Sequence, residues 1–236
     1  MHITPRLSGC LSRRDLFRCG ALLGGGALAA GTLWSPGAAP AAPEPPDPTT
    51  PAQVLERLQA GNARFAAGQP ISPQRDLARL RDIAAGQTPF AAFLGCADSR
   101  VPIELAYDQG FGDLFVVRVA GNIATAIEIA SLEYGTRVLG AKVIVVLGHS
   151  GCGAVKAALA GGKVPGQISA LYSHIVPALD RKTMDLAAAT VANVRYQVRK
   201  LTQASTVIAK LIADGQLLVV GGVFDVATAR VAPVEG

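Results

Sequence analysis

Short apolar runs alternate with longer segments of helical periodicity over most of this chain. The runs are apolar or β-branched at nearly every position and cover residues 90–95, 114–120, 142–148 and 217–223. Strands that are apolar on both faces are typical of a parallel sheet with helices on either side. Helical periodicity over 123–138 and about 185–213 supplies such helices. The pattern predicts an α/β fold with a central, mostly parallel β-sheet flanked by helices.

An N-terminal helical arm is predicted ahead of this sheet, over residues 51–68. Thr50-Pro51-Ala52-Gln53 is typical of a helix start, because it combines a capping-box pattern with proline at the first helical position. The apolar face of this helix consists of Val54, Leu55, Leu58 and Phe65. A second, shorter helix is predicted over 74–85, with an apolar side made of Leu77, Leu80 and Ile83.

The first 41 residues have the pattern of an export signal. A twin-arginine sequence, Ser-Arg-Arg-Asp-Leu-Phe-Arg, occupies residues 12–18 and precedes a stretch of low charge. Ala39-Pro40-Ala41 fits a small-residue cleavage site, which predicts cleavage after Ala41. The alternative is a retained membrane anchor, but the apolar stretch is short and glycine-rich for a span of about 20 apolar residues. We therefore expect residues 1–41 to direct export to the periplasm, with no stable membrane span after their removal.

Removal of this signal changes what remains of the chain. Residues 42–50 are rich in proline and predict a stiff linker, and 51–236 are predicted to form a single domain. The formal net charge of +5 falls to +2, because residues 1–41 contain four arginines and one aspartate. The basic balance therefore belongs largely to the signal and does not indicate nucleic-acid binding.

Cys96, His149 and Cys152 are the candidate metal ligands. Each lies at or just after the end of a predicted strand, and parallel strands bring their carboxyl ends to one edge of the sheet. Two thiolates and an imidazole suit zinc, which takes three protein ligands and keeps an open position when it is catalytic. Because Cys10 and Cys19 lie in the signal, a Cys96–Cys152 disulfide is an alternative in an oxidising compartment. A disulfide leaves the position of His149 unexplained, whereas an inert core of buried cysteine and histidine side chains is a second alternative.

Asp98 and Arg100 follow the first of these cysteines directly and favour a catalytic site over a structural one. A carboxylate at this position can orient a zinc-bound hydroxide by accepting its hydrogen bond. An arginine two residues later can hold that carboxylate ionised. The alternative is a helix N-cap at Asp98 with a surface arginine at Arg100.

Two sequence motifs resemble those of the β-class carbonic anhydrases: Cys96-Ala-Asp-Ser-Arg-Val-Pro102 and Gly148-His-Ser-Gly-Cys-Gly153. Weaker similarity covers Phe115-Val-Val-Arg-Val-Ala-Gly-Asn122, Ser131-Leu-Glu-Tyr134 and Val219-Val-Gly-Gly-Val-Phe-Asp225, so that the resemblance extends from about residue 51 to the C-terminus. It implies that Cys96, His149 and Cys152 bind Zn²⁺ and that Asp98 and Arg100 form a catalytic dyad. The implied reaction is reversible hydration of carbon dioxide to bicarbonate and a proton by zinc-bound hydroxide.

The resemblance also implies regulation and assembly. In a closed state of the family, the residue at Asp98 becomes a fourth zinc ligand. Forms that respond to bicarbonate have a tryptophan three residues before the first cysteine and an arginine on the next strand. Here Phe93 and Arg118 occupy those positions, so bicarbonate control is in doubt. The family further implies a homodimer or higher homo-oligomer, with the N-terminal helix reaching across the partner.

Some residues have two interpretations at the level of sequence. On the family pattern, Gln109, Gly121 and Tyr134 are pocket neighbours, and they are otherwise ordinary turn or core residues. His174 is either a proton-transfer group or an ordinary helical histidine. Two other functions stay open: hydrolysis of carbonyl sulfide or carbon disulfide at the same site, and a non-catalytic zinc-binding module. The Asp98–Arg100 pair argues against the module, because zinc storage needs no hydroxide-orienting carboxylate.

Overall fold

The computed structural model of the protein describes residues 47–235. The predicted export signal over 1–41 and the first part of the predicted linker over 42–50 lie outside these residues. The strands are β1 (Ala91–Gly95), β2 (Leu114–Arg118), β3 (Val143–His149), β4 (Leu218–Phe224) and β5 (Val231–Val234). The α-helices are α1 (Pro51–Ala66), α2 (Leu77–Asp82), α3 (Ile103–Ala106), α4 (Ala126–Glu133), α5 (Gly153–Ala160), α6 (Tyr172–Ile175), α7 (Leu186–Ala204) and α8 (Thr206–Ala213).

The strands form one sheet in the order β2-β1-β3-β4-β5. The first four run parallel, and β5 joins the edge antiparallel to β4. This arrangement confirms the predicted mostly parallel sheet. The sequence pattern did not predict β5, which is short and contains Pro233. Proline lacks an amide hydrogen, so within a sheet it is tolerated at an edge strand such as this one.

Helices cover both faces of the sheet. Alternate residues of each strand point to opposite faces, so each strand contributes to both interfaces. Phe93, Val145 and Leu147 point to the side that α1 and α3 cover, and belong to one buried cluster. Leu94 and Val146 point to the other side and pack in a second cluster with residues of α7 and α8. Every residue of β1 and β3 is buried, as the apolar runs predicted.

Helix α1 begins as its sequence predicts. The Thr50 side chain accepts from the Gln53 amide and the Gln53 side chain accepts from the Thr50 amide, which completes the capping box. Val54 and Leu58 are fully buried in the cluster on the α1 side of the sheet, and Phe65 packs against it. The chain itself thus covers much of the apolar face of this helix. Its predicted reach across a partner stays a prediction.

Three predicted helices have different limits in the structure. The segment predicted over 74–85 is helical only over Leu77–Asp82, where Asp76 caps it, and Leu77 is 68% exposed. The segment predicted over 123–138 begins at Ala126 and ends in a π-helical turn. The segment predicted over about 185–213 is two helices, because Ser205 is extended and its hydroxyl caps α8. Within residues 47–235, no helix combines the length and apolar character needed to cross a membrane.

The close approach of α1 to the loop after α3 depends on Gly61. A Cβ atom at this position would lie 1.9 Å from the carbonyl oxygen of Tyr107, a backbone atom that cannot move aside locally. Alanine normally favours a helix interior over glycine by about 1 kcal/mol. We nevertheless expect Gly61→Ala to lower the free energy of unfolding by about 1–3 kcal/mol, the usual range for overpacking. Urea denaturation checks this, with Gly86→Ala as the control, because Gly86 has open space around it.

Candidate metal centre

The three predicted metal ligands meet at the carboxyl edge of the sheet. Cys96 follows β1 directly, His149 is the last residue of β3, and Cys152 lies at the start of α5. The register aligns Gly95 of β1 with Leu147 of β3, which brings the following residues of both strands to the same level. The two Sγ atoms and an imidazole nitrogen all lie within 4.8 Å of one another, and all three residues are buried. Both cysteines are free thiols, so the disulfide alternative is not observed.

The turn between His149 and Cys152 is fixed against the neighbouring strand. The Ser150 amide donates to the carbonyl of Phe224 at 2.9 Å, and the Ser150 hydroxyl accepts from the amide of Val226 at 2.9 Å. Gly151 has a φ of +68°, a left-handed conformation that glycine adopts without steric cost. Cys152 then occupies the N-cap position of α5, where the amides of Ala154 and Val155 lower its pKa, although Cys96 and burial outweigh them. The turn therefore directs both ligands inward.

The orientation of His149 fits a metal ligand. Its Nδ1 atom lies 3.1 Å from the carbonyl oxygen of Ser150, and an N–H at that position donates to the carbonyl. Its Nε2 atom is buried and has no hydrogen-bond partner. An unpaired buried polar atom is costly, and a backbone carbonyl that binds one ring nitrogen of a histidine commonly directs the other toward a metal. The donor set therefore fits zinc.

Cys96 is in an environment that favours its thiolate. The neighbouring Cys152 thiol, with smaller contributions from His149 and from the amide of Gly121, lowers the pKa of Cys96 to about 4. The Gly121 nitrogen lies 3.3 Å from the Cys96 Sγ. The contact with Cys96, together with burial, raises the pKa of Cys152. Cys96 is therefore the more acidic of the two thiols, and binding of a divalent cation would displace the proton that Cys152 keeps.

Asp98 and Arg100 form a two-pronged ion pair beside this group. The Nε and Nη2 atoms of Arg100 donate to the two carboxylate oxygens of Asp98, each at 2.9 Å, and the Arg100 amide donates at 3.0 Å. These bonds hold the pKa of Asp98 well below its usual range. The Oδ2 atom of Asp98 is 3.8 Å from the His149 Nε2. Pro102 occupies the N-cap of α3, so the alternative in which Asp98 caps a helix is wrong.

Arg118 supports the backbone of the loop that carries Asp98. Its Nε donates to the carbonyl of Cys96 at 3.0 Å and its Nη2 donates to the carbonyl of Asp98 at 2.6 Å. Phe93, at the position of the regulatory tryptophan, is completely buried and packs against Tyr107 with ring centroids 5.0 Å apart. Its phenyl ring offers no hydrogen-bond donor, which is the reason to doubt control by bicarbonate. That doubt stays a prediction.

Only one of the three candidate pocket neighbours contacts a metal-ligand residue. Gly121 donates to the Cys96 sulfur. Gln109 instead pairs with Arg57 and the carbonyl of Tyr107. Tyr134 is 49% exposed and faces Phe115, with centroids 6.2 Å apart. Neither contact reaches a metal ligand, and the interpretation of these two residues as pocket neighbours stays a prediction.

The side chain of His174 contacts Lys200 rather than a metal ligand. Its Nδ1 atom is 3.0 Å from the Nζ of Lys200. Burial, with a smaller contribution from Lys200, lowers the pKa of this histidine. Its role in proton transfer therefore gains no support from these contacts.

Sequence reasoning missed two buried amides, Asn193 and Gln197 of α7. Asn193 donates to the carbonyl of Gly121, and Gln197 accepts from the amide of Ala124. Their spacing could have indicated that they are buried, because they lie four residues apart on the helix face that also carries Val194 and Leu201. Polar residues on the buried stripe of a helix are uncommon and indicate specific hydrogen bonds.

Fold and site together define an α/β protein with a buried Cys₂His metal centre at the carboxyl edge of a parallel sheet. The carbonic anhydrase family profile matches residues 91–231. A carbonic anhydrase of Mycolicibacterium smegmatis is 39% identical over 189 residues, which are 77% of this chain and 92% of that protein. Carbonic anhydrase 2 of Mycobacterium tuberculosis is 39% identical over 179 residues, 72% and 86% of the two chains. The chain belongs to the β-class carbonic anhydrases.

Solved structures agree with this assignment. A tetrameric β-carbonic anhydrase of the ascomycete Sordaria macrospora superposes with a TM-score of 0.63 at 25% identity, over 78% of this chain and 98% of that chain. The Coccomyxa β-carbonic anhydrase, solved in complex with acetazolamide, gives a TM-score of 0.60 at 28% identity, over 78% and 85%. The resemblance stated from the two sequence motifs is therefore confirmed, as is the fold class.

Proposed function

We propose that this protein catalyses the reversible hydration of carbon dioxide to bicarbonate and a proton. The observation that carries the proposal is the meeting of Cys96, His149 and Cys152 within 4.8 Å, with the Nε2 of His149 buried and unpaired. Membership of the β-class carbonic anhydrases and the family's use of zinc support it. Cys96 Sγ, Cys152 Sγ and His149 Nε2 would hold the zinc.

Bound zinc supplies a hydroxide nucleophile near neutral pH, because it lowers the pKa of water to about 7. Asp98 would accept the hydrogen of this nucleophile and so direct its lone pair toward carbon dioxide. Arg100 keeps Asp98 ionised and fixes the plane of the carboxylate, since two parallel N–H bonds allow little rotation. The two bonds from Arg100 support the proposal that Asp98 stays off the zinc and leaves its fourth position open.

Stopped-flow hydration of carbon dioxide by protein of known zinc content tests this function. We expect a rate proportional to the zinc content, lost on chelation and restored by zinc. A zinc-loaded protein that is inactive between pH 6.5 and 9 would refute the proposal. Assays with carbonyl sulfide and carbon disulfide would then test the alternative reaction, and inactivity there would leave a non-catalytic zinc-binding module.

We also propose that the protein is a homo-oligomer, a dimer or larger. The tetrameric state of the Sordaria macrospora relative supports this assembly. Sedimentation equilibrium should give a mass of at least twice that of the chain at micromolar concentration. A single species with the mass of one chain would contradict it.

Export by the twin-arginine route is a further proposal, resting on residues 12–18, which lie outside the described part of the chain. Replacing both Arg13 and Arg14 by lysine should keep the protein unprocessed and out of the periplasmic fraction, because this route reads the arginine pair itself. The matched control replaces Arg6 and Arg18 by lysine, which changes the same number of arginines outside the pair. Equal periplasmic amounts for all three chains, measured by fractionation and immunoblotting, would exclude this route.

A further inference from the structure

A chain of buried hydrogen bonds connects helix α7 to one of the metal-ligand sulfurs. Asn193 and Gln197 have no exposed surface. The Nδ2 of Asn193 donates to the carbonyl of Gly121 at 2.9 Å, and the amide of Gly121 donates to the Cys96 Sγ at 3.3 Å. A single peptide segment therefore contacts α7 on one side and the sulfur on the other.

Gln197 holds the same segment at a second point and also orients Asn193. Its Oε1 accepts from the amide of Ala124 at 2.9 Å. Its Nε2 donates to the Oδ1 of Asn193 at 3.0 Å and to the carbonyl of His174 at 2.8 Å. The first of these contacts fixes the side-chain amide of Asn193 so that its Nδ2 faces Gly121.

The Gly121–Asn122 segment needs such support because its backbone is unusual. Gly121 has a φ of +78° and Asn122 a φ of +44°, so two consecutive residues adopt left-handed conformations. For a residue other than glycine, this conformation is uncommon and persists where the surroundings fix it. Besides the contacts from α7, only one local bond is evident within the described chain, from the Asn122 amide to the carbonyl of Val119 at 2.9 Å.

We propose that Asn193 and Gln197 are positioning residues for the metal centre: they hold the Gly121 amide against the Cys96 sulfur and so fix the direction of this ligand. The proposal rests on the proposed zinc site. A hydrogen bond to a thiolate ligand restricts its rotation and tempers its charge. Loss of such outer contacts commonly weakens metal binding roughly 10- to 100-fold.

Zinc affinity of the full chain, measured by competition with a chromophoric chelator, tests the proposal. Asn193→Ser shortens the side chain so that it no longer reaches Gly121, and we expect zinc to bind roughly 10- to 100-fold more weakly. The sulfur-to-cobalt charge-transfer bands of the Co²⁺-loaded variant should shift as well. Thr190→Val is the matched control: it removes a buried hydroxyl one turn away on α7 that donates only to Leu186 of the same helix. This control should keep the zinc affinity and the cobalt spectrum.

An unchanged affinity and cobalt spectrum in Asn193→Ser would overturn the proposal, whatever the melting temperature of the variant, because the role would then be structural only. If Asn193→Ser does not fold, Gln197→Met decides by the same two measurements. Failure of the proposed function is separate: an inactive wild-type protein that binds zinc leaves the comparison of affinities valid. A wild-type protein without measurable zinc binding would refute both.

Discussion

Cys152→Ser should lose its zinc and, with it, carbon dioxide hydration. A serine hydroxyl is not deprotonated near neutral pH and is a poor zinc ligand, so the remaining Cys96 and His149 would offer only two of the three protein ligands that a catalytic zinc requires. The substitution also changes little in volume, so the fold should persist. We expect metal analysis to find little zinc after dialysis, and the hydration rate to fall to that of the uncatalysed reaction.

The matched control for this variant is Ala157→Ser, which introduces a hydroxyl on the same helix at a half-buried position away from the ligands. It should keep both zinc and activity. Zinc added back to chelated protein should restore the wild type and this control but not Cys152→Ser. Full zinc content in Cys152→Ser would show that Cys152 is not a ligand.

The metal ligands were predictable because their signal is local. Strand-like runs end at Cys96 and at His149, and a parallel sheet brings the ends of its strands to one edge. The tight turn between His149 and Cys152 is also local, since it depends on the left-handed conformation of Gly151. The Asp98–Arg100 pair is two residues apart, so its contact also required no long-range information. The sequence alone could not exclude a helix cap at Asp98, because it did not show where α3 begins.

The residues that the sequence missed depend on contacts between distant segments. Asn193 lies 72 positions from Gly121, and a single helical asparagine does not indicate its partner. Tyr134 and Gln109 were named from the family pattern, but their contacts with Phe115 and Arg57 could not be predicted from it. Tertiary contacts of this kind override local patterns, so the partners of these three residues could not be predicted from the sequence.

Element boundaries were missed for a related reason. The helical periodicity over 185–213 continues through Ser205, yet the hydroxyl of this residue donates to the Glu133 carboxylate at 2.6 Å and accepts from the Ile208 amide. The chain therefore adopts an extended conformation there and starts a new helix. Strand β5 escaped prediction because Val231–Val234 is short and contains proline, and its pairing with β4 is a tertiary contact.

Asp98→Asn should retain zinc yet hydrate carbon dioxide roughly 100-fold more slowly, the loss expected when a reacting group is misoriented. Asn has the same shape as Asp, and Asp98 is not one of the three grouped ligands, so metal content should be unchanged. The amide, however, lacks the charge that pairs with Arg100 and places an N–H where an acceptor is needed. Stopped-flow kinetics at matched zinc content measure the loss, which should appear in kcat/KM.

Arg100→Lys separates charge from geometry in this pair. Lysine keeps the positive charge but lacks the planar guanidinium that donates two parallel bonds to Asp98. We expect its loss of activity to be smaller than that of Asp98→Asn, with zinc again retained. The control is Asp214→Asn, which neutralises an exposed carboxylate paired with Lys210 at 3.0 Å and should have no effect on the rate.

If Asp98→Asn hydrated carbon dioxide as fast as the wild type at equal zinc content, the carboxylate would have no orienting role, and the ion pair would serve only to shape the loop after β1.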